Sequence, residues 1–269
     1  PSPDAAIGDA IVVLDRSHRF GPGIAALADA VRAGDADAAL AALRDRPDEV
    51  TWIAADVAEL DDPDALAIVR DGAVAAARAV IAAAAQGDAP RALAALGAFR
   101  VLCAHRRGEH GAATWRARVE SWLAGAIDGF AAQGEWYVGR PLLVTENDYG
   151  LRLYNGDTGV VVAGAHGLIA AAFERHEQLI GPARLAAVET VYAMTIHKAQ
   201  GSQFDTAAVL LPPASSPILT RELLYTAVTR ARRRLIVAGG EDAVRAAVQR
   251  PVARASGLRA RLWGEAEDA

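Results

Sequence analysis

The densest chemistry in the chain lies in TIHKAQGSQFD, residues 195–205, which holds the only lysine, Lys198, shortly after the only methionine, Met194. Every other long cation is an arginine, so a lysine at this one place points to a local chemical demand. Thr195, His197, Lys198 and Ser202 follow a strand-like run and turn at Gly201, where hydroxyls, cations and backbone N–H groups converge as phosphate oxygens require. The plain alternative is an ordinary polar loop. A second stretch, LTRELLYTAVTRARRRLIVAG (219–239), sets Leu223, Leu224, Ala227, Val228 and Ala231 on one helical face, with Thr226 and Arg230 four apart on another. This spacing predicts an arginine aimed from a helix. The alternative there is a solvated basic helix end, Arg230 with Arg232, Arg233 and Arg234, beside the negative pole of the dipole. In SHRF (17–20) Arg19 falls on a strand-to-helix turn, and VLCAHRRGEHG (101–111) gathers His105, Arg106, Arg107 and His110 behind an apolar strand. No cysteine or carboxylate spacing there supports a metal, which leaves nucleic-acid contact or a solvated turn. Cys103 is expected in the core, and His166 and His176 at the surface.

With 269 residues, 52% of them hydrophobic, the chain can fill one large domain or two smaller ones. The longest apolar tract, 65–85, is interrupted by Arg70, Asp71 and Arg78, which rules it out as a membrane span. No basic and apolar leader opens the chain, and a single cysteine forms no internal disulfide, so the cytoplasm is the expected compartment. The first residue is Pro1 and the only methionine is internal, which suggests a piece of a longer protein. The net charge of -5 argues weakly against a nucleic-acid partner, yet says little about a groove lined with a few placed cations.

The positioning elements follow from periodicity. Ile24, Leu27, Ala28 and Val31 predict a helix stopped at Gly34, and a second helix follows at about 36–44. A short strand near TWIA, a long helix opened by Asp62-Pro63, a buried strand over 99–105 and an amphipathic helix over 112–130 come next, the last with Trp115, Val119, Trp122 and Leu123 inward. From Pro141 the pattern changes to short β runs separated by turn signals at Asn155-Gly156-Asp157 and 164–167. From Ala207 the alternation resumes: AAVLLP as a strand, Thr220 to Arg232 as a helix, RRLIVAGG as a strand, then a tail from Pro251.

In this order the four motifs resemble the second motor domain of superfamily 1 DNA helicases, most closely the RecD type, the alpha subunit of exodeoxyribonuclease V. SHRF looks like motif IV, VLCAHRRGEHG like motif IVa, TIHKAQGSQFD like motif V and LLYTAVTRARRRL (223–235) like motif VI. RPLLVTENDYGLRLYNGDTGVV (140–161) is similar to the start of the SH3-like insertion of that family. The resemblance implies an α/β fold: a RecA-like parallel sheet of the P-loop NTPase type over 1–140 and 190–269, with a small SH3-like β barrel inserted at 141–189. It implies Arg19 and Arg230 at the γ-phosphate of ATP, and Gln200, Gly201 and Gln203 at the nucleotide. Thr195, His197, Lys198, His105 and Arg106 would meet single-stranded DNA. ATP and Mg2+ would serve as cofactors, and an N-terminal motor domain of the same protein, RecB and RecC as partners, with no membrane. Two positions depart from the family. Gln203 stands where Glu is usual, losing a carboxylate for a ribose hydroxyl, and Thr114-Trp115 replaces Leu-Asn; Trp115 is expected in the core.

No G-x-x-x-x-G-K-[ST] run occurs, and the sole lysine is followed by Ala199, so the phosphate-cradling loop of a motor is absent from this sequence. Hydrolysis by this stretch alone is not expected. The competing readings are a non-catalytic, helicase-derived scaffold, and the helicase part of a stand-alone RecD-like protein or a conjugative relaxase.

Overall fold

The structure, a computed structural model, describes residues 20–45, 48–60, 64–130 and 134–252. Arg19, Asp62, Pro63 and residues 253–269 of the expected tail lie outside them. The chain runs α1 (Pro22–Ala33), α2 (Ala36–Arg44), β1 (Val50–Ile53), α3 (Ala67–Ala85), α4 (Ala89–Leu96), β2 (Phe99–Cys103), α5 (Ala112–Ala126), β3 (Pro141–Val144), β4 (Thr158–Ala163) and β5 (Ile169–Phe173). It continues through β6 (Val188–Thr190), β7 (Ala193–Thr195), β8 (Phe204–Leu210), α6 (Arg221–Val228), β9 (Ala231–Ala238) and α7 (Glu241–Gln249).

β1, β9, β8, β2 and β7 form, in that order, a five-stranded parallel sheet. Its strands alternate between two apolar faces, as a sheet covered on both sides demands. Leu102, Val209, Leu235 and Val237 pack beneath α1, α2, α6 and α7, while Val101, Cys103, Ala208, Leu210 and Ile236 pack against α3 and α5. The helix ends are locally coded. Pro22 occupies the first turn of α1, and Gly34, at φ 76°, closes it with its N–H on the Ala30 and Val31 carbonyls. Asp35 caps α2 by accepting from the Ala38 N–H.

Several boundaries depart from the sequence reading. α3 begins at Ala67, after the expected Asp62-Pro63 opening. α5 ends at Ala126, short of Phe130, and Trp122 is only partly buried whereas Trp115, Val119 and Leu123 are fully so. Two helices without a counterpart in that reading are α4, capped by Asp88, and α7.

β5, β4, β3 and β6 form a separate four-stranded antiparallel sheet within 141–190. Alternation in β4 splits its side chains. Val160 and Val162 pack with Ala172 on Val80 and Ala84 of α3 and on Ala92 and Leu96 of α4. Val161 faces the opposite way, into a small core with Leu142, Val144, Phe173 and Ile180. The two chain crossings into this sheet are fastened together: Arg140 Nε donates to Thr190 Oγ1 at 2.9 Å, and the hydroxyls of Tyr137 and Tyr192 pair at 2.7 Å. Gly139, at φ 87°, brings the entering strand so close to α3 that a Cβ would lie 2.5 Å from the Ile81 side chain.

Trp115 is 1% exposed, donates its indole N–H to the Glu109 carbonyl at 3.1 Å and sits edge-on to Trp122. Its expected place in the core holds. Trp115→Ala is therefore expected to lower unfolding free energy by about 3–5 kcal/mol in chemical denaturation, a loss too large for a surface side chain.

Candidate functional site

Parallel pairing places Cys103 of β2 beside Thr195 of β7. The segments that follow these strands, 104–111 and 196–203, consequently leave the sheet at the same carboxyl-terminal end, where α/β folds place their ligands. Within 196–203 a single turn sorts the side chains: Ile196 and Ala199 are fully buried, while His197 and Gln200 are exposed. Thr195 is itself buried, and its hydroxyl accepts from the Lys198 N–H at 3.3 Å. Gly201, at φ 89°, closes the turn with a backbone conformation that side chains disfavour.

Lys198 stands between two concavities. One, about 100 Å³, is lined by Arg106, Arg107, Arg116, Glu189, Thr195 and Lys198 among others. Among the described residues four cations face one carboxylate there, so the cleft is cationic although the chain is acidic. Lys198 Nζ meets that carboxylate, Glu189 Oε1, at 2.6 Å. The other, a groove of about 720 Å³, runs between the 197–203 turn and the antiparallel sheet, with His197, Gln200, Gly201 and Gln203 facing Tyr154 and Arg175. Glu189, Arg116, Tyr154 and Arg175 were not singled out by sequence. They reach the site through the antiparallel sheet and the inner face of α5, which no local pattern connects to Lys198.

Arg230 is not carried on a helix as the spacing had predicted. Helix α6 ends at Val228, and Ala231 to Ala238 form β9. Arg232, Arg233 and Arg234 are thus exposed strand residues, not a basic helix end. Two interactions decide this. Thr229 turns its hydroxyl back on the Tyr225 and Thr226 carbonyls at 2.9 and 3.0 Å, and β9 is drawn into the sheet between β1 and β8. Arg230 occupies the corner. Its guanidinium donates to the Thr226 carbonyl at 3.0 Å, to the Ser202 carbonyl at 2.9 Å and to Thr229 Oγ1 at 3.2 Å. Its own carbonyl accepts from the Phe204 N–H at 2.8 Å. Gln203 joins this corner through a long contact, 3.4 Å, to the Thr229 carbonyl. The Arg230 corner is therefore hydrogen-bonded to the turn that carries Gln200, Gly201 and Gln203.

The other sequence candidates divide. Arg106 is exposed and lines the cationic cleft, whereas the ring of His105 turns away to Ser216 Oγ at 2.9 Å. His110 pairs with Asp56 at 2.5 Å. Cys103 is fully buried, and burial pushes its thiol far up, so it packs as core and is not a nucleophile. Among the described residues no three His, Cys, Asp or Glu side chains gather as a metal site, and no helix is long and apolar enough to cross a membrane.

Residues 190–238, which contain both the lysine loop and the Arg230 corner, match the UvrD-like helicase C-terminal domain family. The chain is 51% identical over 252 residues to the RecBCD enzyme subunit RecD of Mycolicibacterium smegmatis, covering 94% of this chain and 44% of that protein. With the RecBCD subunit RecD of Mycobacterium tuberculosis it shares 50% identity over 256 residues, 94% of this chain and 43% of that one. The ATP-dependent RecD2 DNA helicase of Deinococcus radiodurans is 33% identical over 155 residues, 57% of this chain and 22% of that protein. The chain thus spans less than half the length of the RecD relatives it matches. Among solved structures, a Pif1 helicase from Bacteroides in complex with ADP-AlF3 and ssDNA aligns at 15% identity and a TM-score of 0.45, over 91% of this chain and 54% of that one.

The corner at Arg230 depends on a planar fork that a lysine does not reproduce. Arg230→Lys keeps the charge but leaves carbonyl partners unmet, and is expected to cost about 1–2 kcal/mol in denaturant unfolding. An unchanged midpoint would show that these hydrogen bonds do not hold the turn.

Proposed function

From a chain that is a RecD-like superfamily 1 helicase C-terminal region, we infer one half of an ATP-driven DNA motor. The observation that carries this reading is the hydrogen bond from Arg230 to the Ser202 carbonyl, which joins the arginine corner to the turn bearing Lys198. One short turn then meets two ligands: ATP through Arg230, Gln200, Gly201 and Gln203, and single-stranded DNA through Thr195, Lys198 and Arg106 at the cationic cleft, with His197 opening on the same groove as Gln200.

The residues present fit the phosphate end of a nucleotide but not its cradle. Arg230 is a forked donor suited to phosphate oxygens, whereas the sequence has no Walker-type loop. ATP and Mg2+ would be held mostly by an N-terminal motor domain, and bound there ATP supplies the phosphoryl group transferred to water. This chain's part is electrostatic. Arg230 neutralises charge that grows on the γ-phosphate, with Arg19 as a second cation on the family's pattern. To reach that phosphate the guanidinium must exchange its Ser202 carbonyl, which loosens the turn that carries His197 and Lys198. Nucleotide state and DNA grip are coupled by that exchange, a differential-affinity switch of the kind translocation needs. The same reading places the whole protein, with RecB and RecC, in 5′–3′ unwinding and double-strand break repair in the cytoplasm, and treats the antiparallel sheet as the SH3-like insertion.

Two measurements test it. In the full gene product, Arg230→Ala is expected to lower single-strand-stimulated ATP hydrolysis by about 10³-fold or more; undiminished turnover sinks the arginine's role, and no turnover in the parent protein with its partners favours the scaffold reading. Replacing His197 and Lys198 together by alanine is expected to weaken binding of a labelled single strand, because cations that meet backbone phosphates are removed; an affinity equal to the parent's would count against the DNA side of the turn.

A further inference from the structure

The partner of Lys198 is unexpected for a residue that has to grip a phosphate. Its Nζ is occupied by the Glu189 carboxylate at 2.6 Å. The two residues belong to different sheets: Glu189 lies in β6 of the antiparallel sheet, and Lys198 in the turn after β7 of the parallel one. The pair is neither dry nor idle. The lysine side chain is 27% exposed and the glutamate 38%, so water and ions reach both. Among the described residues Glu189 is also the single carboxylate lining a cleft that carries Arg106, Arg107, Arg116 and Lys198. An acid in that position presents two oxygens to the cations as a phosphate diester does, in the place where the phosphate reading puts a backbone phosphate.

We propose that Glu189 is a built-in stand-in for the nucleic-acid phosphate: it holds Lys198 while the groove is empty and is displaced when a single strand arrives. This rests on the reading of the 195–203 segment as a DNA contact and adds a regulator to it. The consequences are thermodynamic. A cation that neutralises a phosphate releases a counterion condensed on the strand, which gives single-strand binding a slope of about −0.7 per neutralised phosphate in log K against log salt. Lys198 has its counterion attached to the protein. When phosphate displaces Glu189, a negative charge is uncovered as another is neutralised, so this exchange adds little to the slope. Affinity is lowered as well, because an ion pair must open first. The parent protein then holds DNA more weakly and less salt-dependently than its four-cation cleft would allow, and release of a phosphate is assisted by a carboxylate waiting beside the lysine.

The test is a two-by-two cycle in the full gene product without nucleotide, with the parent, Glu189→Gln, Lys198→Ala and the double variant. A labelled oligothymidylate is titrated by anisotropy at several salt concentrations, and thermal unfolding is followed in parallel. Glutamine keeps the shape of Glu189 and removes its charge. Glu189→Gln is expected to bind about two- to fivefold tighter, the range that partly exposed ion pairs command, and to steepen the slope by up to about 0.7. Both effects should vanish in the Lys198→Ala background. If Lys198→Ala weakens binding but Glu189→Gln changes neither affinity nor slope and only lowers the melting temperature, the pair is a structural tie and the stand-in is refuted while the DNA reading survives. Equal tightening in both backgrounds would reduce Glu189 to a general negative charge and equally overturn the exchange. If Lys198→Ala has no effect on binding, the DNA reading itself falls, and the regulator with it.

Discussion

A buried guanidinium that has no carboxylate partner among the described residues constrains the whole arrangement. Arg100, 3% exposed at the start of β2, donates to the Val191 carbonyl where the chain returns from the antiparallel sheet, and to the Leu96 carbonyl at the end of α4 at 3.2 Å. Its plane lies over the ring of Phe204, 5.2 Å away, the residue on which the lysine turn re-enters the sheet. Burial lowers its pKa to about 10, a measure of how reluctantly the charge sits there. Carbonyl oxygens and an aromatic face offset part of that cost only while all three segments stay in place. One side chain thereby fixes the exit of the antiparallel sheet, the end of α4 and the base of the turn relative to one another.

That rigidity makes the two exchangeable contacts meaningful. The turn over 196–203 is pinned in its middle by Ile196 and Ala199 and at its far end by Phe204, all buried in the same core. What remains free to change partner is polar: Ser202 carbonyl with Arg230 at one side, and Lys198 with Glu189 at the other. Each is worth on the order of 1 kcal/mol, small enough for a phosphate to replace and large enough to bias a population severalfold. A turn held by stronger contacts would not respond to a ligand, and one without its buried anchors would have no defined second position.

The sequence carried the local half of this picture. Helix ends were legible where Gly34 and Asp35 satisfy orphan backbone groups, and the lysine turn was legible because Gly201 and its polar neighbours interrupt an apolar run. Type and spacing mark Arg230, but they do not show that it leaves the helix for the corner before β9. LLYTAVTRARR holds no glycine or proline to end a helix, and the break after Val228 comes from the pairing of β9 with β1 and β8 across long sequence separations. Nothing local marks Glu189 or Arg100, for the same reason. Each looks like an incidental charge in a short strand, and only the meeting of two sheets gives it a partner.

The division of labour between arginine and lysine follows from these placements. Where the fold needs a cation that holds geometry, at Arg100 and Arg230, it uses a planar guanidinium that reaches its carbonyl and hydroxyl partners from two or three nitrogens at once. Such a group gives up its partners reluctantly because several must be replaced together. The sole lysine stands where the whole grip is one ionic contact to be exchanged, whereas Arg230 trades one carbonyl and keeps the rest of its fork. A compact ammonium on a flexible stem makes a single contact with Glu189 and loses little orientation in passing from a carboxylate to a phosphate. An arginine at 198 would bind either partner in a fork and hold it longer, trading turnover of the grip for strength, so in a chain otherwise given over to arginine the lysine marks the contact meant to be made and broken.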